Sequence, residues 1–122
     1  MSMTEPEKDL SSSTVILFTR FGMGEAPAEL SQKLAGVFFS LLDESSVLPA
    51  KLLFYTDGVK LVCDGSPVLE QLQALEAKGV ELIACSTCLN YFGLGDQVRI
   101  GIAGGMHDII EALAQADKVI SV

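Results

Sequence analysis

The sequence predicts an α/β fold, a mostly parallel sheet with helices on both faces. Three observations point to it. Short β-branched and aliphatic runs alternate with stretches of helical periodicity, in the order β-α-β-α-β-α-β-α-β. Apolar residues make up 49% of the chain, aromatics only 7%, and Trp is absent. Ala, Val, Leu, Ile and Gly therefore carry the core, which suits a packed α/β protein better than a sandwich. At 122 residues the chain is long enough for one real core. Residues 1–13, charged and then serine-rich, are expected as a flexible tail, and residues 14–122 as one domain.

The elements follow in order. Residues 14–19 (T-V-I-L-F-T) read as a strand buried on both faces, followed by a glycine-bearing loop over residues 20–26. Pro27 suits a first helical position. Leu30, Leu34, Val37 and Leu41 then recur at helical spacing, with Phe38 and Leu42 widening the stripe, and this is the face expected to be buried. Residues 51–56 (K-L-L-F-Y-T) form the second strand, and Asp57 and Gly58 turn the chain out of it. Residues 59–62 fit either more strand or a single turn. Ser66 as cap and Pro67 at the first position open a helix whose buried face is Val68, Leu72 and Leu75 with Leu69 beside them, and Gly79 stops it.

Residues 80–84 (V-E-L-I-A) are the third strand, and Ser86 and Thr87 cap a short helix over residues 89–92 that Gly93 closes. Residues 96–102 read as a short strand weakened by Gly101. Gly104 and Gly105 make a tight turn into a helix over residues 106–115 whose apolar positions are Met106, Ile109, Ile110 and Leu113. Residues 118–122 close the sheet.

Charge and cysteine usage bound the function. A formal net charge of −8 argues against nucleic acid or an anionic membrane as partner. The amino-terminal sequence has neither the basic nor the apolar region of a signal peptide, and no apolar run approaches a membrane span. The cytoplasm is the expected compartment, where three cysteines stay reduced unless they do chemistry or bind metal.

The segment with most chemical content is V-E-L-I-A-C-S-T-C-L-N-Y-F-G, residues 80–93. It places Cys85 where a strand passes into a helix and Cys88 inside the first helical turn. Backbone N–H groups of Thr87 and Cys88, with the helix dipole behind them, would favour a thiolate at Cys85. Three readings stay open: two small buried residues that only pack, a C-x-x-C dithiol of redox type, or a single nucleophilic thiolate at Cys85 that carries sulfur. The redox reading lacks the usual Gly-Pro filling and a cis-proline before a late strand. A zinc site would have to recruit Cys63 and His107 at a spacing no common finger uses, so no metal is expected. No phosphate-binding glycine motif is complete, so no cofactor is expected. His107, the only histidine, reads as a partly exposed first-turn residue rather than a proton donor for a neighbouring thiol.

The segments F-Y-T-D-G-V-K-L-V, G-S-P-V-L-E-Q-L, V-E-L-I-A-C-S-T-C-L-N-Y-F-G-L and M-H-D-I-I-E-A-L, with A-D-K-V-I, resemble the DsrE-like sulfur-relay family. The likeness spans residues 14–122 and is nearest the DsrE-like domain of YedF-type proteins of selenium metabolism. It implies a three-layer α/β/α fold with a five-stranded, largely parallel sheet, and homo-oligomers, often trimers or hexamers. It further implies a sulfurtransferase-like carrier holding sulfane sulfur as a persulfide on Cys85, which stands eight residues before Gly93, with Cys88 matching the second cysteine of the YedF-type group. Sulfur donor and acceptor proteins would be its partners. A non-catalytic binding or assembly module of the same fold is the alternative, and a C-x-x-C redox protein the next.

Overall fold

The computed structural model describes residues 13–122. Almost all of the tail expected over residues 1–13 therefore lies outside the described residues. The elements are β1 (Thr14–Phe18), α1 (Ala28–Asp43), β2 (Lys51–Phe54), a 3₁₀ helix (Thr56–Val62), α2 (Leu69–Ala77), β3 (Glu81–Cys85), α3 (Ser86–Tyr91), β4 (Ile102–Gly104), α4 (Met106–Gln115) and β5 (Lys118–Ser121). Among the described residues they form one five-stranded sheet in the order β4-β3-β2-β1-β5, with every neighbouring pair parallel. This is the predicted α/β fold. Among the described residues no helix is long and apolar enough to cross a membrane.

The chain steps outward from β1 to β4 and then returns across the sheet to β5. Parallel crossovers are right-handed, so reversing the direction of travel puts the returning helix α4 on the opposite face from α1 and α2. All carboxyl ends of the strands then lie along one edge. β1 is buried at all five positions, as expected for an interior strand covered on both faces. Phe18 at its end anchors an aromatic cluster, with ring centroids 4.9 Å from Phe39, 5.4 Å from Phe54 and 6.0 Å from Phe38.

Helix α1 does not bury the expected stripe. Ser31, Ala35, Phe39 and Leu42 face inward, whereas Leu30, Leu34, Val37 and Leu41 are 45–61% exposed. The cause is close approach. Ser31 packs directly on Gly22, where an added Cβ would lie 2.8 Å from the Ser31 Cβ, and small Ser31 and Ala35 let the helix sit low enough for Phe39 to reach the Phe18 ring. One residue of rotation, about 100° at 3.6 residues per turn, sends the larger leucines to solvent. A paired measurement tests this orientation. Phe39→Ala is expected to cost about 3–5 kcal/mol in urea unfolding, and Leu34→Ala less than about 1 kcal/mol; equal costs would mean the helix is turned the other way.

Other boundaries move for local reasons. The fourth strand is Ile102–Gly104 rather than residues 96–102, because Gly101 takes a left-handed φ of 76° against Leu82, and strand geometry begins only after it. Val98 instead makes an isolated antiparallel bridge to Cys63. Residues 59–62 belong to the 3₁₀ helix. Ser66 serves as a turn residue whose Oγ accepts the Val68 N–H at 3.2 Å, and α2 starts at Leu69 with Val68, Leu72 and Leu75 buried as expected. In α4, Ile109 and Ala112 are buried while Met106 and Ile110 are exposed.

Candidate functional site

Strand β3 runs one residue further than the sequence suggested, so Cys85 is both its last residue and the N-cap of α3. There it pairs in register with Gly104 of β4. Its side chain is 0% exposed and receives no capping hydrogen bond from the first turn of α3. Ser86 and Thr87 are the opening residues of α3 rather than its caps. The thiolate-stabilising N–H groups expected at Cys85 are thus not directed at it.

Cys88, three residues on, is the partly exposed thiol of the pair. It lines an open, largely apolar pocket with Thr56, Asp57, Thr87, Tyr91 and Phe92. The backbone N–H of Thr56 donates to Cys88 Sγ at 3.0 Å. Thr56 has φ of 51°, making it the one non-glycine in the left-handed region among the described residues. Such a conformation is strained for a β-branched residue and persists only where its surroundings impose it. Here Tyr55 N–H donates to the Phe18 carbonyl at 3.1 Å, and the Thr56 hydroxyl lies 2.6 Å from both the Thr19 and Tyr55 carbonyl oxygens. Those contacts tie the end of β2 to the end of β1 and aim the Thr56 N–H across the sheet edge at α3.

Burial is the largest influence on Cys88 and raises its pKa above the ordinary thiol value; the Thr56 N–H opposes this, and the neighbouring Cys85 thiol adds to the rise. Charge near the pocket comes from elsewhere in the chain. Lys60 sits 4.4 Å over the Phe92 ring and 2.8 Å from the Asp57 carboxylate. Tyr91 packs edge-on to Phe92 at 5.2 Å yet is 84% exposed. Beyond Phe92 a second hollow is lined by Phe21, Lys60, Cys63, Asp64, Gly65 and Leu94.

The remaining candidates stay apart. Cys63 is buried, donates to the Val59 carbonyl at 3.2 Å, and has its pKa raised by that burial. His107 is exposed, with Nε2 3.5 Å from the Asp108 carboxylate. Among the described residues no three His, Cys, Asp or Glu side chains gather as a metal site. The N-terminus of α4 is occupied by its own Asp108, whose Oδ2 accepts the Gly105 N–H at 2.9 Å. Sequence reasoning found the cysteine pair but missed Thr56 and Lys60. Their signal was position alone: both follow β2, next to β3 in the sheet, at its carboxyl end.

The sequence profile of the DsrE/DsrF-like family matches residues 18–122. The chain belongs to that family. Among solved structures it is similar to the ychN protein of E. coli, at a TM-score of 0.69 and 21% identity, covering 91% of this chain and 99% of that one. It is also similar to MTH1491 of Methanobacterium thermoautotrophicum, described as a protein of unknown function, at a TM-score of 0.62 and 19% identity, covering 89% and 98%. At these identities the likeness concerns the DsrE-type fold. No curated protein matches the chain.

Proposed function

We propose that this member of the DsrE/DsrF-like family carries sulfane sulfur as a persulfide on the Cys85–Cys88 pair and loads it at Cys88. The observation that carries this reading is the Thr56 N–H on Cys88 Sγ beside an open apolar pocket, with Cys85 fully buried. The resemblance implies a persulfide on Cys85; accessibility favours Cys88 for loading. The Cys88 thiolate attacks the outer sulfur of a donor persulfide, the donor's S–S bond breaks, and the donor thiolate leaves. The new Cys88 persulfide anion keeps the N–H of Thr56 as a charge-assisted partner, while Tyr91 and Phe92 shelter it. An acceptor thiolate then removes the outer sulfur by the same displacement. The second cysteine also supports the YedF-type affinity.

Intact mass spectrometry after exposure to a persulfide donor tests the reading. Wild type and Cys63→Ser are expected to gain one sulfur and Cys88→Ser none. A Cys88→Ser variant that loads as fast as wild type would remove the assignment.

We propose further that the chain self-associates through α1. The exposed Leu30, Leu34, Val37 and Leu41 are spaced 4, 3 and 4 residues apart, a seam-like interval. It reads the same in both directions. A second copy running antiparallel therefore sets Leu30 against Leu41 and Leu34 against Val37, with the groove between Gly36 and Gln71 alongside. Light scattering should show an oligomer that Leu34→Glu with Leu41→Glu dissociates; a wild-type monomer at all micromolar concentrations refutes it.

A further inference from the structure

We propose a second activity at the same site: the buried Cys85 thiol displaces the outer sulfur from a loaded Cys88 and releases it as sulfide. This rests on the carrier reading above. Three observations carry it.

First, the pair stands at the N-cap and the third position of α3. A C-x-x-C pair at a helix start is an arrangement in which two cysteines can close into a disulfide, as in the dithiol oxidoreductases. Second, the two sulfurs are ordered from inside to outside. Cys85 is fully buried and lines no part of the pocket, whereas Cys88 does line it. An outer sulfur on Cys88 occupies the pocket side, with Cys85 behind. Displacement at sulfur requires the attacking and departing groups on opposite sides of the sulfur attacked, and this ordering supplies that arrangement. Third, burial keeps external thiols from Cys85, so the thiol that reaches it is the one beside it.

The step balances without an added oxidant. Cys85 Sγ bonds to Cys88 Sγ, the bond from Cys88 Sγ to the outer sulfur breaks, and the departing sulfur takes the Cys85 proton to leave as hydrosulfide. The outer sulfur gains two electrons, and the two thiols lose them in forming the disulfide. Sulfide is a weaker base than a cysteine thiolate, which favours its departure. A dithiol reductant is then needed before the next loading. Carriage and release thus compete: an acceptor docked at the pocket takes the sulfur intact, and without one the pair discharges it as sulfide.

The test uses the full chain, reduced, kept free of oxygen, loaded with inorganic polysulfide and desalted. Sulfide release and intact mass under non-reducing conditions are followed in time. In wild type the one-sulfur adduct should disappear with equal appearance of sulfide and of a species lighter than the starting protein by two hydrogens. Cys85→Ser and Cys85→Ala should hold the adduct more than about tenfold longer and form no disulfide; the alanine variant guards against a buried-hydroxyl folding defect. A wild-type adduct that persists without disulfide, or Cys85 variants that lose sulfur at the wild-type rate, overturns the release step and leaves the carrier reading standing. Disulfide forming equally fast without polysulfide also overturns it. Failure of wild type to gain sulfur at all ends the carrier reading and this inference with it.

Discussion

Gly58→Ala is expected to destabilise the protein by about 3 kcal/mol or more and to slow the reaction of Cys88 with thiol reagents. The reason is steric. A methyl group at residue 58 would fall on the Phe18 carbonyl oxygen, 2.6 Å from the carbonyl carbon and 3.2 Å from the Thr19 nitrogen. These are backbone atoms at the end of the interior strand β1, held by pairing to β2 on one side and β5 on the other, and they cannot give way. The 3₁₀ helix must therefore lift. Lifting it strains the Tyr55 N–H bond to Phe18 and draws the Thr56 N–H away from Cys88 Sγ. Stability and thiol reactivity should thus fall together, read by urea unfolding and by alkylation rate. Gly36→Ala is the matched control. A Cβ there meets only ordinary contacts, 3.6 Å from Gln71 and 3.8 Å from Val68, inside helix α1, so it should stabilise by about 0.5–1 kcal/mol. A Gly58→Ala protein as stable as wild type would mean the 3₁₀ helix does not press on β1.

The parts of this architecture legible in the sequence are those set by short-range pattern. Continuous runs such as T-V-I-L-F and E-L-I-A announce strands buried on both faces, and the strand–helix alternation requires a parallel sheet. Periodicity located α1 but chose the wrong face, because leucine size dominates the stripe while the contact with the sheet is decided by how closely Ser31 and Ala35 allow approach. The Cys85–Cys88 pair was visible from spacing. Which thiol meets solvent was not, since it depends on where the 3₁₀ helix from β2 crosses the end of β3. Thr56 is the sharpest case. Nothing in Y-T-D-G marks a left-handed threonine; its conformation is imposed by the Phe18, Thr19 and Tyr55 carbonyls, two of them distant in sequence. In α2 the pattern and the packing agree: Leu72 and Leu75 are buried, and the exposed leucines belong to α1.

Sulfur loading should rise with pH, about tenfold per unit through the neutral range, and vanish to background in Cys88→Ser. Burial, the larger cause, and the Cys85 thiol both push the Cys88 pKa up, and the Thr56 N–H pulls it down, with a net rise. A raised pKa leaves the thiol protonated at neutral pH. Each step in pH then enlarges a small thiolate fraction, and the increase should continue beyond the point where a free cysteine, near about 8.5, levels off. The causes can be separated by variant. Cys85→Ala removes one upward influence, so its loading curve should shift to lower pH, toward faster loading at neutrality. Displacing the Thr56 N–H through Gly58→Ala removes the downward one and should shift the curve to higher pH. Cys63, whose pKa burial raises and whose Sγ is engaged with the Val59 carbonyl, should contribute nothing in the folded protein. The measurement is a rate profile of polysulfide loading, with iodoacetamide alkylation as an independent probe, from about pH 6 to about pH 9. A flat profile, or one that levels off below the range of a free thiol, would show that Cys88 is held as a thiolate already, and that the Thr56 N–H outweighs the burial opposing it.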